Sequence, residues 1–340
     1  MKKIYIALKP FNNKVFYRND IFNEKSPYGS SYLIAARKLL VKKNIIMNTI
    51  DIASDPPTQK DIYMDVPYPW DLMLWIRLIK YSKKSILFII EPPLVNPFNF
   101  MKIFHIFFSR VYTQKDDLID NAKYFKFFLP KTKAGIETKL IPFKNKKLLI
   151  LMNGNLSPFL PFRLLSFSTK ELYSERIKAI NFFEENYPSE FSLYGRGWNK
   201  PQRFSIMQRL FGFRRYKTYR GEFLSKDKYK LLSKFKFSLC FENCKTTGYI
   251  SEKIIDCFKA KCVPVYRGAP NIDKFIPTNC YIDANAFKDY QEIYTYLINM
   301  GEEEYNTYIQ NIEELLQDRK FQSRWFPEGF AKFFLRVIAS

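Results

Sequence analysis

The residues best suited to bind an anionic ligand lie close together in the C-terminal half of the chain. Glu242 and Asn243 end an apolar run. After a short loop, a helical pattern begins with Tyr249, Glu252 and Lys253. A helix N terminus attracts phosphate because its N–H groups carry partial positive charge, and Lys253 adds a full charge. Glu252 lies about 100° around the helix from Lys253, so we expect it to contact another group, such as a sugar hydroxyl. The pattern indicates a nucleotide-sugar or other phosphate site, while a solvated helix face fits the same spacing.

Other common catalytic and metal-binding patterns are missing from the sequence. It contains no GxxxxGKS phosphate loop, and Gly195-Arg196-Gly197 lacks the third glycine of a GxGxxG dinucleotide motif. His105 is the only histidine and lies in an aromatic stretch, so we expect a packing or surface role. Four aspartates lie close together in the sequence: Asp51, Asp55, Asp61 and Asp65. Their spacing does not fit a metal-binding loop, so we expect them in solvated loops. No metal site is expected.

The elements around the C-terminal candidates form a strand–loop–helix–strand pattern. The strict alternation of large apolar residues in Phe235–Phe241 predicts a strand with one buried face. The apolar stripe within Tyr249–Ala260 predicts an amphipathic helix, and Val263–Tyr266 predicts the next strand. In open α/β sheets, ligands bind at the carboxyl ends of parallel strands and at the N termini of the helices that follow. All five candidates fall at such an edge.

The rest of the chain also alternates short apolar runs with helical patterns, which predicts an α/β protein with parallel sheets. Ile4–Leu8 and Ser85–Ile90 are predicted strands, and Glu91 follows the second one directly, before two prolines. A linker is predicted at Leu129–Asn145, where the pattern loses its period and fills with Pro, Lys and Gly. We therefore expect an N-terminal domain of residues 1–145, a second domain of residues 146–310, and a basic, aromatic tail of residues 311–340.

Composition excludes some classes of protein. The chain has 340 residues, of which 47% are hydrophobic and 18% aromatic, so it is not intrinsically disordered. Its 55 Lys and Arg against 33 Asp and Glu give a formal charge of +22. This excess favours nucleic acid, anionic lipid or a phosphorylated substrate as a partner, although its even spread favours a compositional bias over one basic groove. We see no secretion signal and no apolar run of membrane-spanning length. Five cysteines without a CxxC spacing favour buried thiols in the cytoplasm.

Three segments together resemble the signature of a known enzyme family. Phe237–Asn243 reads FSLCFEN, Gly248–Ile254 reads GYISEKI and Val263–Pro270 reads VPVYRGAP. In this order they are similar to the α-1,3-fucosyltransferases of glycosyltransferase family 10, whose pattern is roughly F-x-L-x-F-E-N, G-Y-x-T-E-K-I and V-P-V-Y-W-G-A-P-N. The resemblance covers about residues 229–290, extends in weaker form back to residue 147, and is thin in the first 145 residues.

The resemblance implies a fold and a donor. The fold is GT-B, in which two Rossmann-like domains face each other across a cleft. The implied reaction is an inverting transfer of L-fucose from GDP-fucose, bound mainly by the C-terminal domain. No metal ion is required, although divalent ions can stimulate turnover. By the same resemblance, Arg176 corresponds to an arginine that contacts the donor phosphates, and further donor-binding positions correspond to Asn243, Tyr249, Glu252 and Lys253.

The resemblance also implies a general base. Glu91 stands where the family has an acid thought to take the acceptor proton. The tripeptide Glu91-Pro92-Pro93 is the only basis for this assignment. An inverting transfer needs such a carboxylate on the face opposite the leaving group. The departing GDP anion needs cations, which Lys253 and Arg176 can supply. Glu242 is the second candidate for the base, although a structural role or a bond to donor hydroxyls suits it better.

Two residues depart from the family pattern. Ser251 replaces a threonine and keeps its hydroxyl group, so little changes there. Arg267 replaces a tryptophan, which removes an aromatic face and adds a positive charge. We expect Arg267 to alter the contact with the acceptor or to add a contact with phosphate.

These features predict a transferase that moves fucose to O3 of GlcNAc or glucose in a lactosamine-type glycan, either soluble or lipid-linked. Such a reaction belongs to cell-surface glycan or lipopolysaccharide biosynthesis, with no nucleic acid as partner. Two alternatives stay open: a transferase that uses another nucleotide sugar, and a non-enzymatic basic protein that binds nucleic acid or membrane. The tail either packs back across the two domains or contacts an anionic membrane, at whose inner face the protein would then lie.

Overall fold

The computed structural model describes residues 4–11, 14–53, 60–130, 141–202, 208, 210, 212–224 and 227–339. The chain divides into two compact units. The first unit combines Met1–Ala134 with Arg319–Ser340, and the second is Gly135–Asp318. The divisions therefore lie near residues 134 and 318, whereas the sequence analysis placed them at 145 and 310. Residues 131–140 of the predicted linker lie outside the described part of the chain.

A parallel sheet forms the centre of the first unit. Its strands are β1 (Ile4–Lys9), β2 (Ile45–Thr49), β3 (Lys60–Met64), β4 (Ser85–Phe88), β5 (Arg110–Thr113) and β6 (Tyr124–Lys126). They lie in the order β2-β1-β3-β4-β5-β6, with Ile6 beside Met47 and Met64 beside Phe88. The α-helices of this part are α1 (Ser31–Val41), α2 (Leu72–Lys80) and α3 (Lys102–His105). The apolar runs of β1 and β4 are buried, as in parallel sheets covered on both faces.

The second unit has its own parallel sheet. Its strands are β7 (Lys147–Met152), β9 (Phe191–Tyr194), β10 (Phe235–Phe241), β12 (Val263–Arg267) and β13 (Ile282–Asp283), in the order β13-β12-β10-β7-β9. A separate antiparallel pair consists of β8 (Lys170–Glu171) and β11 (Cys244–Lys245). The helices are α4 (Leu160–Leu165), α5 (Tyr173–Asn186), α6 (Lys228–Leu232), α7 (Glu252–Lys259), α8 (Tyr290–Asn299) and α9 (Glu302–Gln317).

The C-terminal tail completes the core of the first unit. It forms α10 (Arg319–Trp325) and α11 (Pro327–Ala339), and α11 packs against α1. The Phe330 ring lies 4.9 Å from that of Tyr32, and the Phe334 ring lies 5.7 Å from that of Phe88 on β4. The apolar face of α11 is buried against the sheet and α1, so the tail packs back onto the first unit. Packing across both domains, as the sequence analysis expected, stays a prediction.

Most predicted elements near the candidate site are confirmed. β10 has the predicted bounds, and β12 extends the predicted strand by one residue to Arg267. α7 begins at Glu252, three residues later than predicted, because Ser251 has an extended backbone with ψ of −177° and caps the helix. All five cysteines are buried thiols. In the described part of the chain, no helix combines the length and the apolar character needed to cross a bilayer.

Candidate functional site

A buried carboxylate joins β10 to α7. Glu242 follows β10, is fully buried, and accepts hydrogen bonds at 2.7 Å from both the backbone N–H and the hydroxyl of Ser251. Lys253 Nζ donates to the same carboxylate at 3.0 Å. Ser251 also caps α7, since its hydroxyl oxygen accepts from the Lys253 backbone N–H. Both oxygens of Glu242 are therefore engaged, which favours a structural role for this residue over the second-choice role of general base.

Lys253 retains one N–H group for a ligand. An ammonium group has three N–H donors. Within the described residues, two of them are used, by Glu242 Oε2 at 3.0 Å and by Ser251 Oγ at 2.8 Å. The side chain is 18% exposed and lies in the first turn of α7, where the helix dipole adds partial positive charge. Because the Glu242 carboxylate offsets the charge of Lys253, this point offers an anion the remaining N–H of Lys253 and the dipole of α7.

A small cavity of about 170 Å³ lies beside this end of α7. Its walls include Lys253 and Glu252 from α7, Asn153 after β7, and Lys228 from α6. Lys228 forms an ion pair with Asp256. Although burial opposes the effect, the carboxylates of Asp256 and Glu252 raise the pKa of Lys228, so this side chain stays charged. The sequence analysis missed Lys228 because only the folded contact between α6 and α7 brings it to the site.

Arg176 supports the turn after β10 from inside the unit. It lies on α5 and is 3% exposed. Its Nη2 donates to the backbone carbonyls of Phe241 at 2.8 Å and Glu242 at 2.6 Å, and to Asn243 Oδ1 at 2.8 Å. Burial lowers the pKa of Arg176, yet a guanidinium group stays protonated in proteins. The structure thus brings Arg176 and Asn243 together. Contact with a donor phosphate has to use the other guanidinium nitrogens, of which Nε has no hydrogen-bond partner within the described residues.

The loop between β10 and α7 depends on a glycine in the left-handed region. Gly248 has a φ of +71°, which a residue with a side chain rarely adopts. Its backbone N–H donates to Asn271 Oδ1 at 2.8 Å. The next residue, Tyr249, is mostly buried, and its backbone N–H donates to the carbonyl of Thr246 at 3.1 Å. The Gly248-Tyr249 pair therefore fixes the course of the loop that leads to Glu252 and Lys253.

Arg267 is held within the second unit. Its Nη1 lies 2.9 Å from Glu175 Oε2, and its Nη2 donates to the carbonyl of Ala284 at 2.7 Å. The guanidinium also lies 5.3 Å from the centre of the Phe241 ring. Burial alone would raise the pKa of Glu175, but Lys178, Tyr290 and Arg267 together lower it, so the pair is charged. Because Glu175 balances its charge, Arg267 replaces the family tryptophan as a packing and pairing residue at the end of β12.

In the first unit, Glu91 lies in the wall of a cavity of about 560 Å³. Much of the wall is aromatic, with contributions from Phe11, Phe16, Tyr28, Tyr32 and Tyr68. Ser30 and Ser31, at the start of α1, add hydroxyl groups. Small-molecule sites have this size and character, mostly apolar with a few polar groups that fix orientation. The cavity therefore offers aromatic surface to a ligand and the Glu91 carboxylate as a polar group.

A second carboxylate in the same wall, Asp65, escaped the sequence analysis as a site residue. β3 and β4 are neighbours, so Asp65 after β3 and Glu91 after β4 leave the sheet at one edge. The side chain of Asp65 is buried, and its Oδ1 accepts from the backbone N–H groups of Ile90 at 2.7 Å and Glu91 at 3.0 Å. It also accepts from Asn99 Nδ2 at 2.8 Å. Asp65 therefore fixes the backbone that carries Glu91. The available signal was its place directly after an apolar strand.

Two further buried groups support this arrangement. Lys9 Nζ donates to the backbone carbonyl of Asp65 at 3.3 Å, and burial lowers the pKa of Lys9 to about 8. Burial also raises the pKa of Asp65. His105 Nε2 lies 2.9 Å from the carbonyl of Asn99, and Nδ1 lies 3.1 Å from Tyr124 Oη. Burial lowers the pKa of His105 to about 4, so the ring is neutral at pH 7. The predicted packing role of this histidine is confirmed.

The nearby aspartates of the first unit have separate environments. Asp61 lies on β3, is buried and pairs with Arg77 at 2.7 Å. The expectation of a solvated loop was therefore wrong for Asp61 and for the buried Asp65. Asp51 accepts from the Arg18 backbone N–H at 2.9 Å, and Asp55 lies outside the described residues. Over the described ranges, no three His, Cys, Asp or Glu side chains are arranged to hold a metal ion.

Comparison with known sequences finds a family that is similar to part of the chain. Residues 166–325 match the model described as glycosyltransferase family 10 (fucosyltransferase) C-term. An alpha-(1,3)-fucosyltransferase of Helicobacter pylori is 38% identical over 72 residues, which are 21% of this chain and 15% of that protein. A GDP-fucose protein O-fucosyltransferase 3 of Danio rerio is 49% identical over 53 residues, which are 16% of this chain and 12% of that protein. The chain thus spans less than a fifth of the length of these curated relatives.

Solved structures resemble the chain over nearly its full length. A crystal structure of an alpha1,3-fucosyltransferase matches 99% of this chain and 90% of its own, with a TM-score of 0.57 and 14% identity. The T4 phage beta-glucosyltransferase matches 100% of both chains, with a TM-score of 0.54 and 9% identity. At such identities the likeness concerns the fold, and the predicted α/β, GT-B class is confirmed. The resemblance drawn from the three motifs is confirmed as well, since residues 166–325 match the model of glycosyltransferase family 10.

Proposed function

We propose that the chain transfers L-fucose from GDP-fucose, with inversion, to a hydroxyl group of a glycan. The observation that carries the proposal is the charged junction of Glu242, Ser251 and Lys253 at the N terminus of α7, inside the segment that matches the fucosyltransferase family. A phosphate-binding helix end at the carboxyl edge of a parallel sheet is where α/β proteins bind nucleotides. The fold and the family match support the same activity.

The proposed donor site neutralises the diphosphate with side chains. Lys253 donates its remaining N–H to a phosphate oxygen, and the N–H groups of the first turn of α7 add to it. Lys228, whose charge Asp256 balances, adds an ammonium group at the wall of the adjoining cavity, and Arg176 holds Asn243 in place. Glu252, in the same wall, is suited to accept a hydrogen bond from a sugar hydroxyl. With these cations present, the proposal requires no metal ion, although divalent ions can stimulate turnover.

The proposed base is Glu91. Its carboxylate takes the proton of the acceptor hydroxyl, the hydroxyl oxygen forms a bond to C1 of fucose, and the bond from C1 to the phosphate oxygen breaks. GDP leaves with the electron pair of that bond, and the anomeric configuration inverts. Asp65 acts as a positioning residue, because its carboxylate holds the backbone N–H of Glu91 at 3.0 Å. The aromatic wall of the cavity suits a sugar-sized acceptor.

The finer parts of the proposal concern the acceptor and the location. We propose O3 of GlcNAc or glucose in a lactosamine-type glycan, made for cell-surface glycan or lipopolysaccharide biosynthesis. A lipid-linked acceptor would bring the protein to the inner face of a membrane. Five buried thiols support a reducing compartment such as the cytoplasm.

The experiment is a transfer assay with donors compared side by side. Purified protein is incubated with N-acetyllactosamine and with GDP-fucose, GDP-mannose or UDP-glucose, and the products are identified by mass spectrometry. We expect fucosylated product with GDP-fucose, and nuclear magnetic resonance of that product should show an α-1,3 linkage. Transfer from another nucleotide sugar alone would contradict the choice of donor. Absence of transfer from every donor, on a range of glycans, would contradict the proposal as a whole.

A further inference from the structure

One face of α2 consists of apolar side chains exposed to solvent. Leu72, Met73, Ile76 and Ile79 are between 53% and 77% exposed. Their spacing of one, four and seven residues places them on one side of the helix. Leu78 is the one residue of this helix that is fully buried. A helix of the first unit therefore presents to solvent the kind of face that helices normally bury in a core.

The apolar surface extends beyond α2. Trp70, just before the helix, is 64% exposed. Ile103 on α3 and Ile106 just after it are 68% and 65% exposed. α2 and α3 are in contact, because the Trp75 ring lies 5.2 Å from that of Phe104. Singly scattered apolar residues on a surface need no explanation, but seven large ones on two adjacent helices and on residues next to them mark a site of interaction. We call these two elements with Trp70 and Ile106 the α2–α3 surface.

The charge near this surface has one dominant sign. Between Val66 and Arg110 the sequence contains four lysines and two arginines, against the carboxylates of Asp71 and Glu91. Arg77 is paired with Asp61. The lysines are all exposed: Lys80, Lys83, Lys84 and Lys102. The α2–α3 surface therefore combines exposed apolar side chains with a positively charged border.

This combination fits an anionic bilayer better than a protein partner. Protein interfaces are depleted in lysine. By contrast, an amphipathic helix that lies in a membrane interface has bulky apolar residues on one side, lysines beside them, and often a tryptophan at the headgroup level. Exposed lysines gain most from anionic headgroups within a short distance of the surface. The complementary charge thus points to one class of occupant.

We propose that the α2–α3 surface docks the protein on anionic membranes. The side chains of Leu72, Met73, Ile76 and Ile79 insert at the boundary of headgroups and acyl chains, and the lysines contact lipid phosphates. The tail, which is buried in the first unit, takes no part in this contact. The inference goes beyond the transfer reaction, since it requires neither a donor nor an acceptor.

The test is cosedimentation of the full chain with sucrose-loaded vesicles. One set contains phosphatidylcholine alone, and the other contains phosphatidylcholine mixed with phosphatidylglycerol. We expect binding to the mixed vesicles, and roughly tenfold weaker binding for the double variant Ile76→Glu/Ile79→Glu, because two charges would have to enter the interface. The matched control is Val41→Glu, at an exposed position of α1 in the same unit. It should bind like the unchanged protein, and thermal melting should show that each variant is folded.

The outcomes separate this inference from the proposed enzyme activity. Transfer to a water-soluble acceptor should be the same for the unchanged protein and for the α2 double variant. If the unchanged protein fails to bind the mixed vesicles, or if the double variant binds as well as Val41→Glu, the inference is wrong. It is also wrong if size-exclusion chromatography shows a dimer that the double variant converts to a monomer without any vesicle binding. That result would assign the surface to a second copy of the chain.

Discussion

Two glutamates that each follow a buried parallel strand have contrasting surroundings. Glu242 is fully buried, and Ser251 and Lys253 engage both of its oxygens. Glu91 lies in the wall of a cavity of about 560 Å³, and its own backbone is fixed by Asp65. A carboxylate that must take a proton from a substrate needs access to that substrate. The contrast favours organisation of the junction for Glu242 and supports the proposal that Glu91 takes the proton.

Replacing Glu91 by glutamine should remove the base and keep the shape of the cavity wall. We expect Glu91→Gln to lower kcat for fucosyl transfer by about 10²–10⁴-fold, the usual contribution of a general base. Affinity for GDP should not change, because the proposed donor site uses residues of the second unit. The measurements are initial rates of GDP release and calorimetric titration with GDP. Glu24→Gln, at an exposed position of the same unit, serves as the control. A rate within a few-fold of that control would rule out Glu91 as the base.

The single histidine predicts a pH dependence of stability. Burial lowers the pKa of His105 from 6.5 in the unfolded chain to about 4 in the folded one. Between these values the unfolded state binds more protons, so the free energy of unfolding falls as the pH falls from 6.5 towards 4. The full loss is about 3 kcal/mol. Urea denaturation across this range should show a shallower decline for His105→Gln, which cannot titrate. Parallel curves for the two proteins would contradict the buried, neutral histidine.

Among the elements, the β10–α7–β12 unit is organised around Glu242. Its carboxylate accepts a hydrogen bond from the backbone N–H of Ser251 at the start of α7. Its own backbone N–H donates to the carbonyl of Arg267, at the end of β12, at 2.9 Å. Arg176 on α5 donates to the backbone carbonyl of Glu242 at 2.6 Å. Three elements therefore meet at one residue, and the position of Lys253 depends on all of them.

Gly268 shows how little room this junction has. A Cβ at this position would lie 2.3 Å from Tyr266 Oη and 2.5 Å from Glu242 Cγ. Both neighbours are buried, so Gly268→Ala should displace Glu242 and lower the free energy of unfolding by about 1–3 kcal/mol, as overpacking does. Affinity for GDP should fall with it, because Lys253 moves with Glu242. Urea denaturation and GDP titration measure the two effects. Gly301→Ala is the control, since a Cβ there meets nothing within 4 Å. Equal stability of the two variants would contradict the crowded junction.

At the scale of the whole molecule, the C-terminal helix α11 is part of the hydrophobic core that the N-terminal strands form. α11 packs on α1 and contributes Phe330, Phe334 and Val337 to the hydrophobic core of the first unit. The second unit lies between these two parts in the sequence. Folding of the first unit therefore depends on residues that are separated by almost the full length of the chain.

Removing one ring of the tail should test that dependence. Phe334 is fully buried, so Phe334→Ala should lower the free energy of unfolding by about 3–5 kcal/mol. The neighbouring Arg336→Ala, at an exposed position, should have little effect. Thermal unfolding followed by circular dichroism makes the comparison. If both variants melt at the temperature of the unchanged protein, the tail does not pack as described.

Sequence patterns were sufficient where the determining contacts are local. The alternation in Phe235–Phe241 predicted the bounds of β10, and the apolar stripe within Tyr249–Ala260 predicted α7. The expectation of a single buried face was wrong for β10, because Ser238 and Cys240 are buried as well. The position of Glu91 after a strand placed it at a sheet edge. Asp65 also follows a strand, but its bond to the Glu91 backbone arises from the pairing of β3 with β4. Lys228 could not be found in this way, since its role arises from the contact of α6 with α7.

The remaining differences have a similar origin. The expected contact of Arg267 with the acceptor or the phosphate stays a prediction, and the sequence did not indicate that Glu175, which is far away in the sequence, balances its charge. For the tail, the sequence did not decide between packing and membrane contact, because its aromatic residues suit either environment. The exposed apolar face of α2 escaped notice, since an amphipathic pattern does not indicate which partner covers it.

The most direct test of the central claim is calorimetric titration of GDP in the presence of a chelator of divalent ions. The account predicts that GDP binds without metal and that Lys253→Met, which keeps the stem and removes the charge, binds it about 10–100-fold more weakly, the value of one charged hydrogen bond. Lys288→Met, at an exposed lysine of the second unit, should bind like the unchanged protein. Melting curves should first establish that both variants are folded. If Lys253→Met binds GDP as tightly as Lys288→Met, the helix end does not hold the diphosphate.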